Sequence, residues 1–251
     1  MIARKKFIRV VSVISACFVI IAVTLCLLIY NGVIWFVHPE NRGFTVKGID
    51  VARYQGDIDW HAVASQGISF TFVKATEGSS YSDPKFTANI VLSRENGIYS
   101  GAYHYFSGES PGETQAKNFI TTVSDYGLDL PPVMDFEISK ANRAKKESII
   151  REAKVFLREI ENHFGIKPII YTTYESYGEF LNDGFDGYPL WFRDLMKEPK
   201  IGGNRDWLFW QYCNRGRLDG VDGKQKFVDL NVFNSTMDEL ESYISELTWR
   251  R

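Results

Sequence analysis

From Val10 to Val37 the chain carries no Asp, Glu, Lys or Arg, and most positions are Val, Ile, Leu, Phe or Ala. A run longer than the ~20 apolar residues needed to cross a bilayer predicts one membrane-spanning helix. Beyond about position 40 the pattern changes to short apolar runs separated by polar and amphipathic stretches. Strand candidates are Val46–Val51, Ser69–Ala75, Tyr99–Phe106, Pro132–Ile138, Lys167–Tyr171, Pro189–Phe192, Trp207–Tyr212 and Phe227–Val232. Ile149, Ala153, Phe156, Ile160 and Phe164 recur at steps of three and four, which is one face of a helix. Phe119, Ile120 and Val123 suggest a second helix, and Pro84 ahead of Phe86–Glu95 suits the start of a third. Gly97 and Gly165 follow where left-handed caps are expected. Strands alternating with helices predict a parallel sheet, and eight such units predict a closed barrel. The fold class is therefore α/β: an irregular (β/α) barrel of about eight mainly parallel strands, preceded by one N-terminal transmembrane helix. The irregularity follows from the later connections, which are too short for full helices. No internal repeat or low-complexity tract is present.

Charge orients the apolar segment. Arg4, Lys5, Lys6 and Arg9 precede it with no acid among them, so the N-terminus is expected in the cytoplasm and the remainder outside. Trp35 and Phe36 suit the outer interface. The expected organisation is a basic cytoplasmic N-terminus (1–9), a transmembrane anchor (10–36), a tether (37–45) and the barrel (46–251). A cleaved signal peptide is the rival, but its apolar region spans only ~7–15 residues and no small-x-small site follows this one. Ile14-Ser15-Ala16-Cys17 resembles a lipoprotein cleavage box, against which stands the long apolar run after Cys17. Of 29 cations and 31 acids in the chain, four cations and no acids fall in the first nine residues. The exported part thus carries 25 against 31, a net charge of −6, which disfavours nucleic-acid binding. Cys17 and Cys26 lie in the span, so Cys213 alone is exported and no intramolecular disulfide is expected there.

In a barrel of this kind the active site lies at the C-terminal ends of the strands. Those ends supply Asp50, then Lys74 and Glu77, then Tyr103, His104 and Tyr105. Asp135 and Glu137 follow, then Tyr171, Trp191, Gln211 with Tyr212, and Asp229 with Asn231. Side chains alternate along a strand, so Asp135 and Glu137 share one face and Phe136 takes the other. Two strand steps separate their Cα atoms by roughly 6–7 Å. Mutual repulsion raises the pKa of at least one, the condition for a proton donor beside an ionised partner, as in glycoside hydrolysis. That separation falls between the spacings typical of retaining and inverting enzymes, so the stereochemical outcome stays open. Aromatic rings around carboxylates suit a sugar, whose C–H faces stack while its hydroxyls require hydrogen bonds.

Several segments together resemble glycoside hydrolase family 25, the muramidases or lysozymes. They are Gly48–Trp60 (GIDVARYQGDIDW), Phe72–Gly78 (FVKATEG), Gly101–Phe106 (GAYHYF), Asp135-Phe136-Glu137, Trp210-Gln211-Tyr212 and Val228–Asn231 (VDLN), in that order from about Lys47 to Phe233. The resemblance implies an irregular barrel and hydrolysis of the β-1,4 bond between N-acetylmuramic acid and N-acetylglucosamine in peptidoglycan. It implies Glu137 as general acid, Asp135 as its ionised partner, and Asp50 and Asp229 as further acids of the groove. Asp135 would orient the sugar's acetamido group. Lys74, Tyr103, Tyr105, Tyr171, Trp191 and Gln211 would bind substrate. One departure is Arg193, after Trp191-Phe192, where the family usually has a small residue. An arginine there suits muramyl or peptide carboxylates, or narrows a subsite.

Other chemistries are poorly supported. His38, His61, His104 and His163 have no zinc-binding spacing, Cys213 lacks a protease pattern, and no phosphate-cradling glycine loop occurs. His104 suits a hydrogen-bonded barrel residue, and Lys74 a partner of a groove acid. Asn234-Ser235-Thr236 forms a glycosylation sequon. The expectation is a monomeric, single-pass membrane protein with its barrel periplasmic or extracellular. Its partners would be peptidoglycan glycan strands and the lipid bilayer, with no cofactor and no metal. The alternative is a non-catalytic wall-sugar-binding or scaffold protein on the same barrel.

Overall fold

A computed structural model describes residues 2–203 and 205–250. Met1 and Arg251, the outer ends of the expected first and last segments, lie outside the described residues, as does the side chain of Lys5. The chain divides into two compact units, Met1–Phe36 and Val37–Arg251. The first is built on helix α1 (Ile2–Tyr30). Its Lys6–Tyr30 stretch has a mean hydropathy of 2.8 and is long and apolar enough to cross a membrane. Phe7, Phe18, Ile20 and Ile21 are among the large apolar side chains it leaves exposed.

In the second unit eight strands close a barrel: β1 (Lys47–Val51), β2 (Ile68–Glu77), β4 (Tyr99–Tyr105), β5 (Val133–Phe136), β6 (Ile169–Thr172), β7 (Leu190–Arg193), β8 (Phe209–Gly216) and β9 (Val228–Phe233). The two-residue β3 (Tyr81–Ser82) only folds back on the end of β2. Ladders from β1 through β2, β4, β5, β6 and β7 to β8 are all parallel. β9 runs antiparallel to both β8 and β1 and closes the ring. The β8–β9 connection, residues 217–227, is shorter than the dozen or more residues that a parallel crossover needs, and the chain returns as a hairpin. All eight expected strands form.

Helices pack outside. They are α2 (Trp60–Ser65), α3 (Phe86–Glu95), α4 (Gly112–Val123), α5 (Lys146–Phe164), a turn α6 (Tyr174–Ser176) running into a π-helical turn (Tyr177–Leu181), and α7 (Met237–Glu246). The expected α5 stripe, Ile149, Ala153, Phe156, Ile160 and Phe164, is buried throughout. Gly165 ends the helix at φ 78°, the left-handed cap. Between β7 and β8 no helix forms among the described residues, and loop covers the barrel wall there.

Two apolar layers result. Outward-facing residues such as Ile49, Val73, Met134, Phe136 and Phe192 meet the helices. The lower barrel interior is aromatic, with Phe72 stacked on Trp191 at 4.6 Å and Phe209 against Phe70 and Phe233 at 4.9 and 5.3 Å. Leu240 of α7 joins this inner cluster. Space for the rings comes from missing side chains: a Cβ on Gly101 would stand 2.7 Å from Phe72 Cε1, and one on Gly48 would run into the Phe70 ring. A filled lower interior leaves room for polar groups only at the upper end.

The segment read as a tether is packed. Val37 and Pro39 are buried, Phe44 lies edge-on to Trp207 at 4.9 Å, and Arg42 pairs with Glu198 at 2.8 Å. These residues fold as part of the second unit rather than as a free linker.

Candidate active site

All ten residues expected in the site converge. Asp50, Lys74, Tyr103, Tyr105, Asp135, Glu137, Tyr171, Trp191, Gln211 and Asp229 line one groove of about 530 Å³. It opens where the parallel strands end and where antiparallel β9 begins. Tyr54, Gln55, Glu77, Arg193, Asn214 and Gln225 also line it, with Val51 and Ala52.

Strand alternation explains most of this. On β5 and its continuation, Asp135 and Glu137 face the groove while Phe136 turns outward to stack on Phe106 at 5.5 Å. Lys74 and Glu77, three residues apart, would face opposite ways on a regular strand. The β2–β4 register slips between Lys74 and Thr76, and this bulge restores both to the groove face. Lys74 Nζ then donates to Glu77 Oε2 at 2.6 Å, with the Tyr105 ring 5.0 Å away. The expected pairing of Lys74 with a groove acid is thus present.

The same bulge turns Thr76 outward toward His104. The His104 ring meets Thr76 Oγ1 at 2.7 Å and Gln115 Oε1 at 3.1 Å, and it stacks on Phe156. Burial lowers its pKa to about 4. His104 is a neutral core residue behind the wall. Tyr212 also lies outside the groove, beside Trp210.

Asp50 and Asp229 are directly opposed in the β1–β9 ladder, where like charges repel. Asp50 Oδ2 accepts from Gln211 Nε2 at 3.0 Å and Asn231 Nδ2 at 2.8 Å. Burial raises Asp50 to about 6 against the opposing pull of these amides. Burial, reinforced by the charge of Asp50, pushes Asp229 well above the carboxylate range. Burial and mutual repulsion thus favour a single charge on the two carboxyls over two. The amides are fixed in turn, since Tyr171 Oη donates to Gln211 at 2.8 Å and Trp191 Nε1 to Asn231 at 2.9 Å.

Asp135 is buried, and among the described residues its Oδ1 has no hydrogen-bond partner. Burial, then the charges of Glu137 and Asp50, push its pKa well up. Glu137 is more open and accepts from Arg193 Nη1 at 3.2 Å. Asp135 is the acid driven to its neutral form, and Glu137 is the one facing a cation.

Tyr171 and Trp191 were expected to contact sugar. They form the groove floor, 5% and 2% exposed, edge to face with one another at 4.6 Å. With Phe72 covering the other side of Trp191, these rings serve as packed supports, not open stacking platforms. Tyr54, 50% exposed at the rim with Arg53 5.1 Å from its ring, is the open aromatic. Asn231, read from sequence at the end of its strand, proves to be a hydrogen-bond partner of Asp50, whereas Asn214 and Gln225 in the wall are not foreseen as site residues from sequence. The last two come from irregular chain around the β8–β9 connection, where no periodicity carries a signal.

A barrel that gathers five carboxylates at the ends of its strands, with aromatic and amide side chains between them, defines a glycoside-hydrolase type of site. The chain belongs to glycosyl hydrolases family 25, whose family model matches residues 49–221. It is 38% identical over 206 residues to the uncharacterized protein YegX of Escherichia coli strain K12, covering 80% of this chain and 74% of that protein. It is 32% identical over 209 residues to lysozyme M1 of Streptomyces globisporus, covering 78% and 70% respectively. A solved structure of a family 25 glycosyl hydrolase from Bacillus anthracis is similar with a TM-score of 0.76 and 40% identity. That similarity covers 83% of this chain and 97% of the other.

Proposed function

We propose that this chain is a membrane-anchored peptidoglycan hydrolase that cleaves the β-1,4 bond between N-acetylmuramic acid and N-acetylglucosamine. Family membership and the similarity to lysozyme M1 support the reaction class. The observation that carries the chemistry is the unequal pair Asp135 and Glu137 in one groove.

A bound 2-acetamido sugar would donate its amide N–H to Asp135 Oδ1, the buried acceptor without a partner. A hydrogen bond to the carboxylate favours its charged form. The proton that burial holds on Asp135 is then released to Glu137, which stands at the open side of the pair and delivers it to the glycosidic oxygen. Ionised Asp135 balances the positive charge that develops near the anomeric carbon and aligns the acetamido oxygen for attack. Asp50, held by Gln211 and Asn231 and opposed to Asp229, keeps a negative charge across the groove. A sugar-binding scaffold has no use for Asp50, Asp135, Glu137 and Asp229 gathered in one cleft, which favours catalysis over that alternative.

The apolar helix supports a membrane attachment with the N-terminal cations inside and the barrel outside. The decisive experiment is digestion of purified peptidoglycan, followed by mass spectrometry of the new reducing ends. N-acetylmuramic acid at those ends is the expected result. N-acetylglucosamine there, or no digestion, overturns the proposal.

A further inference from the structure

The groove holds five carboxylates, Asp50, Glu77, Asp135, Glu137 and Asp229, and two cations. Lys74 is buried and already committed to Glu77 at 2.6 Å. Arg193 differs. It comes from the end of β7, its side chain is 33% exposed, and among the described residues its guanidinium makes one hydrogen bond, Nη1 to Glu137 Oε1 at 3.2 Å. A guanidinium has five N–H donors in a planar fork, so most of its donor capacity stays open to the groove.

Arg193 also lines a second depression beside the groove, of about 320 Å³, together with Thr173, Tyr174, Glu175, Asp194 and Leu195. Tyr174 is 42% exposed there. A substituent on the sugar nearest Glu137 can leave the groove across Arg193 and rest in this depression. An otherwise acidic cleft repels an anionic substituent everywhere except at that guanidinium.

We propose that Arg193 is a specificity-determining residue that binds a carboxylate on the side arm of the sugar seated beside Glu137. The inference rests on the muramidase reading and adds to it the recognition of charge on the glycan. A carboxylate matches the guanidinium fork in two-point geometry. Drawing Arg193 toward the substrate also loosens its contact with Glu137, leaving that carboxyl free to accept the proton from Asp135. Substrates without the carboxylate leave the Arg193–Glu137 pair intact and are turned over poorly. The carboxylate has two possible sources, the free lactyl group of a peptide-free strand and the acidic stem peptide.

The test is steady-state kinetics of the full chain in detergent, comparing the parent, R193A and R193K on four probes. These are peptide-bearing glycan strands, strands stripped of peptide, stripped strands with their carboxylates converted to methylamides, and chitin oligosaccharides. For the parent, methylamidation is expected to lower kcat/KM about tenfold, the weight of one charge-assisted hydrogen bond. R193A is expected to lose about tenfold on carboxylated strands, mainly through KM, and to respond neither to methylamidation nor to the change to chitin. R193K, which keeps the charge without the fork, should recover part of the loss. A loss seen on stripped strands assigns the lactyl carboxylate, and one confined to peptide-bearing strands assigns the peptide. An equal loss on all four probes overturns the inference while the muramidase reading stands. A parent chain that cleaves no muramyl strand removes both.

Discussion

Asp135 and Glu137 leave one strand two residues apart, yet one is buried without a partner at Oδ1 and the other faces Arg193. Replacing Glu137 by Gln keeps shape and removes the transferable proton, so E137Q should lower kcat by about 10²–10⁴-fold, the usual weight of a general acid. Its thermal unfolding should match the parent, and comparable wall-digestion rates would remove Glu137 from the role. Asp135 separates activity from stability. Its folded pKa is raised, so between the ordinary carboxylate range and that raised value the native state binds more protons than the unfolded state. Wild-type stability therefore falls as pH rises through that window. D135N has no proton to lose there. It should be nearly inactive and, at a pH above the raised value, more stable than the parent by roughly 1–3 kcal/mol, because the amide has no charge to desolvate. The advantage should shrink as pH falls through the window and be smallest below the ordinary value of 3.8, where the parent's Asp135 is protonated in both states. Denaturant unfolding of both proteins across that range checks it, and parallel stability profiles would show that burial of Asp135 carries no such cost.

Among the elements, legibility followed periodicity. The α5 stripe and the Asp135–Phe136–Glu137 alternation could be read because a single period governs each from end to end. Lys74 and Glu77 stand three apart, and only the bulge in β2 explains how both reach the groove. A bulge is set by the partner strand, so it leaves no local pattern. His104 and Tyr212 sit at strand ends like true site residues but face outward by plain alternation, His104 between groove-lining Tyr103 and Tyr105 and Tyr212 next to groove-lining Gln211. Close approach between elements is equally silent in hydrophobic pattern. Gly112 opens α4 against α5, where a Cβ would lie 2.9 Å from both the Glu152 carbonyl carbon and the Phe156 amide nitrogen. Backbone atoms cannot step aside as side-chain tips do. G112A should therefore destabilise the barrel unit by about 1–3 kcal/mol through overpacking, although alanine is the better helix former. Thermal unfolding measures it, and an unchanged midpoint would mean that the α4–α5 contact is slack.

At the scale of the whole molecule, the chain forms two compact units, Met1–Phe36 and Val37–Arg251, whereas the sequence pattern changes near position 40. The difference is the segment 37–45, polar enough to read as a tether yet anchored by Phe44 on Trp207 and Trp210, partners far along the chain. Contacts of that range are invisible to any local window. The unit before it holds almost no apolar surface out of water, whereas Lys6–Tyr30 spans 25 residues, roughly 37 Å of helix against a hydrocarbon core of ~30 Å. Burying such a helix in lipid is strongly favourable, and no peripheral charge interaction is needed to hold it. The full chain should accordingly sediment with membranes, resist high salt and alkaline carbonate, and be released by detergent. With Arg4, Lys6 and Arg9 retained on the cytoplasmic side, protease added outside intact cells should remove the barrel and leave the N-terminal segment protected. A variant beginning at Val37 keeps the packed 37–45 segment, so it should be soluble and should digest peptidoglycan in solution at the rate of the detergent-solubilised parent. Release of the full chain by carbonate, or a mature species lacking residues 1–36, would show that the apolar helix acts as a transient export signal and that the enzyme works untethered.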